Sequence, residues 1–161
     1  MRDANRYRPN VAFILANHQD QVLLARRRGA DAWQFPQGGV AQGESAQDAL
    51  YRELLEEIGI HRDSVKIMAS TRRWLKYRVP EQFRRHSNNK AFVGQRQKWY
   101  LLRFLGDAQD IRLDREQPPE FDQWRWVSYW YPLRCIIDFK RQVYAAAMIE
   151  LAPQFGSDSK C

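Results

Sequence analysis

Three glutamates, Glu53, Glu56 and Glu57, stand at positions i, i+3 and i+4. On an α-helix that spacing projects all three carboxylates from one face. Clustering three negative charges costs helix stability through mutual repulsion, and a divalent cation is the natural compensation. Hard cations such as Mg²⁺ prefer carboxylate oxygen and commonly bridge a few carboxylates to a substrate's phosphates. Such ions can polarise a phosphoryl oxygen, neutralise a leaving group and lower the pKa of an attacking water. A lone Glu-x-x-Glu-Glu is more often a solvated acidic face, so the triplet alone decides little.

The flanking residues predict the helix that would carry it. Ser45 with Asp48 three residues later fits a capping box, with Asp in place of the usual Glu. Leu50, Leu54 and Ile58 recur every four residues, and Gly59 sits where a helix C-cap glycine belongs. Upstream, Asn10 to Ala16 reads as a buried strand, Gln21 to Ala25 as its return, and Trp33 to Phe35 as a short extended piece stopped by Pro36. Gln37-Gly38-Gly39 then reads as a flexible loop. Downstream, Val65 to Val79 predicts one or two strands, Pro80 to Gly94 a long polar loop, and Gln95 to Leu105 and Gln123 to Tyr129 further strands. Leu133 to Leu151 predicts a closing helix with Ile136, Val143, Ala147 and Leu151 near one face. Trp99, Trp124 and Trp126 alternate with polar residues and are assigned mainly to core packing. The order describes an α/β protein, a mixed sheet with helices packed on it.

Of 161 residues 44% are hydrophobic, enough for one ordinary domain with a real core. The run Val11 to Ala16 is far too short to span a bilayer, which needs about 20 residues. The start, with Arg2, Asp3, Asn5 and Arg6, has no apolar signal core, so a cytoplasmic protein without membrane association is expected. Cys135 and Cys161 fit no metal spacing and read as reduced thiols. The net charge is +7, which favours polyanionic partners. Its distribution is sharper: from Arg62 to Arg103 there are twelve Lys/Arg against two acids, whereas Glu44 to Glu57 holds five acids and one Arg. A basic surface beside an acidic cluster could grip a phosphate chain and hold metal ions. Arg72, Arg73, Lys76 and Arg78, interleaved with Trp74 and Tyr77, suit nucleic acid.

Extending the triplet outward gives Gly38, five residues, Glu44, seven residues, then Arg52-Glu53-Leu54-Leu55-Glu56-Glu57-Ile58-Gly59-Ile60. This 23-residue stretch resembles the Nudix box at every fixed position, including the aliphatic ones at Leu54 and Ile60. The resemblance implies the Nudix fold, a mixed β-sheet sandwiched between helices (an α/β/α sandwich), with residues 1–153 as a single Nudix hydrolase domain and 154–161 as a disordered tail. It implies that Glu53, Glu56 and Glu57 bind a divalent metal, Mg²⁺ or Mn²⁺, and that Glu44 and Arg52 pair to fix the loop against the helix. Gly38 and Gly59 are then structural members of the box.

Further blocks carry the resemblance beyond the box. They are Tyr7 to Val11, Trp33 to Gly39, Gly94 to Trp99, Pro119 to Val127 and Ser128 to Pro132. They resemble the bacterial RNA pyrophosphohydrolase branch of the family and are shared with dinucleoside polyphosphate hydrolases. That likeness implies conversion of a 5′-triphosphate RNA end to a 5′-monophosphate, which exposes the transcript to nucleases. Glu120 becomes a fourth metal ligand or water-positioning base. Glu53, Glu57 and Glu120 form the catalytic set, and whether Glu53 or Glu120 takes the proton stays open. Arg8, Arg27 and Lys140 are implied phosphate and backbone contacts, with Arg27 and Phe139 sandwiching a base and Tyr77, Gln95 and Ile137 lining the same pocket. Phe139 and Ile137 could equally be core residues, and Arg27 an ordinary surface charge. Two other activities compete: hydrolysis of diadenosine polyphosphates, and non-catalytic RNA or nucleotide binding. The last would need a damaged carboxylate cluster, and this one is intact.

Overall fold

The computed structural model describes residues 6–84 and 92–154. In chain order its strands are β1 (Tyr7–Ala16), β2 (Val22–Arg27), β3 (Trp33–Gln34), β4 (Gln37–Gly39), β5 (Val65–Ser70), β6 (Leu75–Arg78), β7 (Gly94–Phe104) and β8 (Phe121–Val127). Its α-helices are α1 (Ala46–Ile58), α2 (Pro132–Cys135) and α3 (Arg141–Leu151).

Strand β1 explains the architecture. Val11, Phe13 and Leu15 point to one side of the sheet and Ala12, Ile14 and Ala16 to the other, and all six are buried. A strand buried on both faces needs a layer on each side. On the first side α1 seats Leu50, Leu54 and Ile58, all fully buried, against Phe13, Leu15 and Leu102. On the second, α3 packs Tyr144, Ala147, Met148 and Leu151 against Ile14, Leu24 and Trp99. Each such aliphatic side chain contributes roughly 1.5–3 kcal/mol of burial. Two buried hydroxyls fix the α3 layer: Tyr144 accepts from the Phe35 N–H at 3.0 Å, and Tyr129 donates to the Met148 carbonyl at 2.7 Å. Trp99 is wholly buried, while Trp124 and Trp126 pack half-buried against the α1-side core.

The sheet is mixed. β1 runs parallel to β7 from Tyr7↔Gly94 to Ala16↔Arg103, whereas β2 pairs antiparallel with β8 and with β3. Beyond β7, β5 and β6 share one edge in succession, so Val65 to Val79 resolves into two antiparallel strands. The break falls at Thr71, whose hydroxyl accepts the Trp99 N–H at 3.1 Å.

Two expectations need correction. Gln37–Gly39 is a strand, not a flexible loop: it pairs antiparallel with Asn10–Ala12, satisfying backbone groups on the free edge of β1. The closing helix is not continuous. Ile136 and Ile137 adopt extended backbone (ψ 143° and 142°), separating α2 from a short 3₁₀ turn at Asp138–Lys140 and then α3. Ile136 is buried in the α3-side core, and the extended pair carries the chain from one helix to the next. Within the long polar stretch Pro80 to Gly94, Glu81–Phe83 forms a 3₁₀ turn and 85–91 lie outside the described residues. Of the expected tail, Gln154 ends the 3₁₀ turn Ala152–Gln154 that follows α3, and 155–161 lie outside the described residues.

Candidate active site

Helix α1 is held at both ends by its own sequence. Ser45 Oγ accepts the Asp48 N–H at 3.1 Å, and Gly59 takes φ 72°, a left-handed conformation that favours glycine. A side chain at Gly59 would also meet Arg112, with Cβ atoms 2.8 Å apart. Fixed in this way, the helix presents Glu53 and Glu57 inward, each 8% exposed, with Glu56 half-buried beside them.

Arg52 ties these carboxylates to the preceding loop. Its Nε and Nη2 each donate to Glu44 at 2.9 Å, a bidentate pair, and Nη2 also donates to the Gly39 carbonyl at 2.7 Å. Its Nη1 donates to Glu53 at 2.7 Å and to Glu56 at 3.2 Å. The Arg52 guanidinium, helped by the Ala41 N–H, holds the Glu44 carboxyl down at about 2. Burial pushes Glu53 up, opposed by Arg52. Glu57 is driven well above the usual carboxylate range by burial first and by the Glu53 charge second.

Gly38 explains how the carboxylates approach the sheet so closely. A Cβ there would lie 2.0–2.3 Å from the Glu53 carboxyl atoms, so only glycine leaves room. Strand β4 thereby becomes a divider. Gly38 faces Glu53, while its neighbour Gly39 lies under the Arg8 guanidinium, with Nη2 3.0 Å from where a Cβ would be. Gln37 turns the same way as Gly39 and accepts from Lys140 Nζ at 3.3 Å and from Gln97 Nε2 at 3.2 Å. Gln97 in turn donates to Asn10 at 2.8 Å, Gln37 donates to Gln95 at 3.1 Å, and the Tyr77 hydroxyl donates to Gln95. This buried polar string runs from the centre of the sheet to Lys140, whose ammonium burial pushes down to about 8.

Tyr77, Phe139 and Lys140 meet on this second side, with Arg27 in the field of Tyr77 and Lys140. Arg27 ends β2 with its Nε 4.0 Å from Glu120, which precedes β8. Tyr77 is buried, and its ring lies 6.0 Å from that of Phe139. Ile137 is 43% exposed, because the break in the closing helix turns it outward. That break also frees Phe139 and Lys140 from a helical face.

Four contributors were not foreseen. Glu116 lies in the field of Glu56, Glu53 and Glu120, its carboxyl pushed up by burial first and by Glu56 second. Phe83, 53% exposed, stacks on Phe139 with centroids 5.6 Å apart. An aromatic inside an otherwise polar stretch was the available signal. Gln37 and Gln97 carried none, since a buried glutamine looks like any other in sequence.

The donor set fits a hard divalent cation. Glu57 Oε2 is buried without a hydrogen-bond partner, and the neighbouring donors are all carboxylates. Among the described residues no three acidic, histidine or cysteine side chains are grouped closely enough to hold an ion, and Arg52 Nη1 donates to both Glu53 and Glu56.

Comparison with known proteins identifies relatives of the chain. The NUDIX domain model matches residues 6–146. The RNA pyrophosphohydrolase of Pseudomonas putida (strain F1) is 54% identical over 154 residues, covering 96% of this chain and 97% of that protein. That of Klebsiella pneumoniae (strain 342) is 51% identical, covering 94% and 86%. Among solved structures, the E. coli dihydroneopterin triphosphate pyrophosphohydrolase superposes with a TM-score of 0.71 at 20% identity, covering 89% of this chain and 98% of that one. A C. elegans Ap4A hydrolase binary complex gives 0.64 at 18% identity, covering 91% and 98%, so these two likenesses concern the fold. With a family model spanning most of its length and relatives more than half identical nearly end to end, the chain belongs to the Nudix family of hydrolases.

Proposed function

We propose that the chain removes pyrophosphate from the 5′-triphosphate end of RNA, leaving a 5′-monophosphate. The observation that carries this reading is the division made by β4: buried carboxylates on one side, cations and aromatic rings on the other. A polyphosphate lying across that strand meets both. The near full-length likeness to RNA pyrophosphohydrolases supports the same substrate.

A divalent ion held by Glu53, Glu56, Glu57 and Glu120 would supply charge neutralisation and activation of the attacking water, and Mg²⁺ and Mn²⁺ both suit all-oxygen donors. The remaining work belongs to the chain. Arg52 orients Glu53 and Glu56 while its other nitrogens hold the loop through Glu44. Arg8, Arg27 and Lys140 receive the phosphates, and Phe139 with Arg27 and the Tyr77–Gln95–Ile137 wall receives a base near the 5′ end. Glu53 or Glu120 accepts the water's proton. Positioning and electrostatics then carry a phosphoryl transfer that needs little covalent help.

A competition assay with Mg²⁺ tests this, offering 5′-triphosphate RNA and diadenosine tetraphosphate together to wild type and Glu53→Gln. Faster conversion of the RNA is expected, falling by about 10²–10⁴-fold in the variant, the range for a positioned general base. Faster cleavage of the dinucleotide would transfer the activity to dinucleoside polyphosphates. Unchanged phosphate release in Glu53→Gln would sink the catalytic assignment.

A further inference from the structure

Outside the active site, one patch of the sheet carries positive charge that no carboxylate among the described residues pairs with. The register of β6 on β7 sets Lys76 directly opposite Arg96, and like charges facing across an antiparallel pair are destabilising. Arg78, two residues along β6, shares their face. Tyr77 between them is buried in the α3-side core, so Lys76, Arg78 and Arg96 belong to the α1 side. Helix α1 covers that side only further along β7, where Tyr100, Leu102 and Phe104 join its core. Among the described residues no carboxylate pairs with any of the three cations. Arg96 Nε is buried and has no hydrogen-bond partner.

Aromatic rings are interleaved with the charges. The Lys76 ammonium lies 5.2 Å from the centroid of the Tyr7 ring, and the Arg96 guanidinium 4.7 Å from that of Trp74. Such contacts hold the cations in place without neutralising them. An anion seated beside Lys76 and Arg96 would relieve the repulsion between them.

We propose that this face, Lys76, Arg78 and Arg96 with Tyr7 and Trp74, binds the phosphate backbone of the RNA beyond its 5′ end. The inference rests on the reading of the active site as one for RNA ends. Strand order places β4, β1, β7 and β6 side by side, so three strand spacings, about 14 Å, separate the active-site strand from the patch. Cations alternating with rings are what single-stranded nucleic acid grooves use, the charges following the backbone and the rings offering stacking surfaces.

The test uses the intact protein and a 5′-hydroxyl single-stranded RNA of about 16 nucleotides, the upper site size of such grooves. With no triphosphate, its binding is independent of hydrolysis. Fluorescence anisotropy across a salt series is expected to give a steep dependence. Its slope should fall by about 0.7 for each phosphate that is no longer neutralised, so by roughly 1.4 in the Lys76→Gln/Arg96→Gln double variant and by about 0.7 in Arg78→Gln. Thermal unfolding of the double variant should be unchanged or higher, because the repulsion is gone. Unchanged affinity and slope in both variants overturn the proposal, as does a lower unfolding midpoint without a change in slope. Absence of triphosphate turnover by the unaltered protein alongside salt-sensitive binding that the variants weaken would strike the active-site reading and leave the patch standing.

Discussion

Helix α1 and the broken segment from Pro132 to Lys140 supply the two halves of the same site by opposite means. In α1 the signals are local: Ser45 starts the helix, Gly59 stops it, and the i, i+3, i+4 spacing aims three carboxylates together. In the second segment local signals mislead. Its apolar spacing suits one long helix, yet Ile136 and Ile137 go extended, because burying Ile136 in the α3-side core decides their conformation. The first half can be designed by a short stretch of chain, and the second exists only when the sheet and α3 are already in place.

Strand β4 joins these halves, so breaking it should have the largest effect. In Gly38→Ala the new Cβ would sit 2.0 Å from Glu53 Cδ, and the carboxyl must move. A displacement of about 1 Å at a reacting group can cost on the order of 10²-fold in rate. Steady-state kinetics should show that loss in kcat, while far-UV circular dichroism of α1 stays unchanged. A variant with normal kcat would mean that Glu53 works from a position other than the one it holds here.

The same contrast explains what was legible in the sequence. Helix α1 and the flanking strands follow from periodicity, because each burial pattern repeats within a few residues, whereas the sandwich and the roles of the site residues were implied by the box resemblance. The role of Gln37–Gly39 as a strand was hidden, since Gly-Gly signals freedom and pairing depends on the distant Asn10–Ala12 edge. The recruitment of Glu116 was hidden for the same reason, and Phe83 stood out as an aromatic without showing that Phe139 is its partner: loop residues meet their partners only through tertiary contacts.

Lys140 sharpens the comparison through pH. Its folded pKa, about 8, lies below its ordinary 10.5, so the folded chain binds this proton less tightly than the unfolded chain does. Protonation therefore opposes folding. The penalty is full below about pH 8 and disappears as pH rises to 10.5. Replacing Lys140 with Met should stabilise the protein at pH 7 by up to roughly 3 kcal/mol, with the gain shrinking towards pH 10.5. The same variant should raise KM for triphosphorylated RNA about tenfold or more, as expected for losing a charge-assisted hydrogen bond. Denaturant titrations at several pH values check the first effect and initial rates the second. A pH-independent stability difference would show that Lys140 is not the titrating group.

The smallest effect is expected at the start of α1, where the local signals are strongest. Ser45→Ala removes one acceptor, the Oγ that takes the Asp48 N–H, and should cost about 1 kcal/mol, lowering the unfolding midpoint by about 2–4 °C. Activity should hardly change. The carboxylates are positioned by a separate clamp, in which Arg52 grips Glu44 and the Gly39 carbonyl while Glu44 accepts the Ala41 N–H. That clamp grips the loop before the helix directly, so fraying of the first turn need not reach Glu53. Calorimetry and kcat measured on one preparation separate the two. If kcat fell as far in Ser45→Ala as in Gly38→Ala, cap and clamp would be a single unit, and the catalytic half of the site would depend on cooperation as much as the broken segment does.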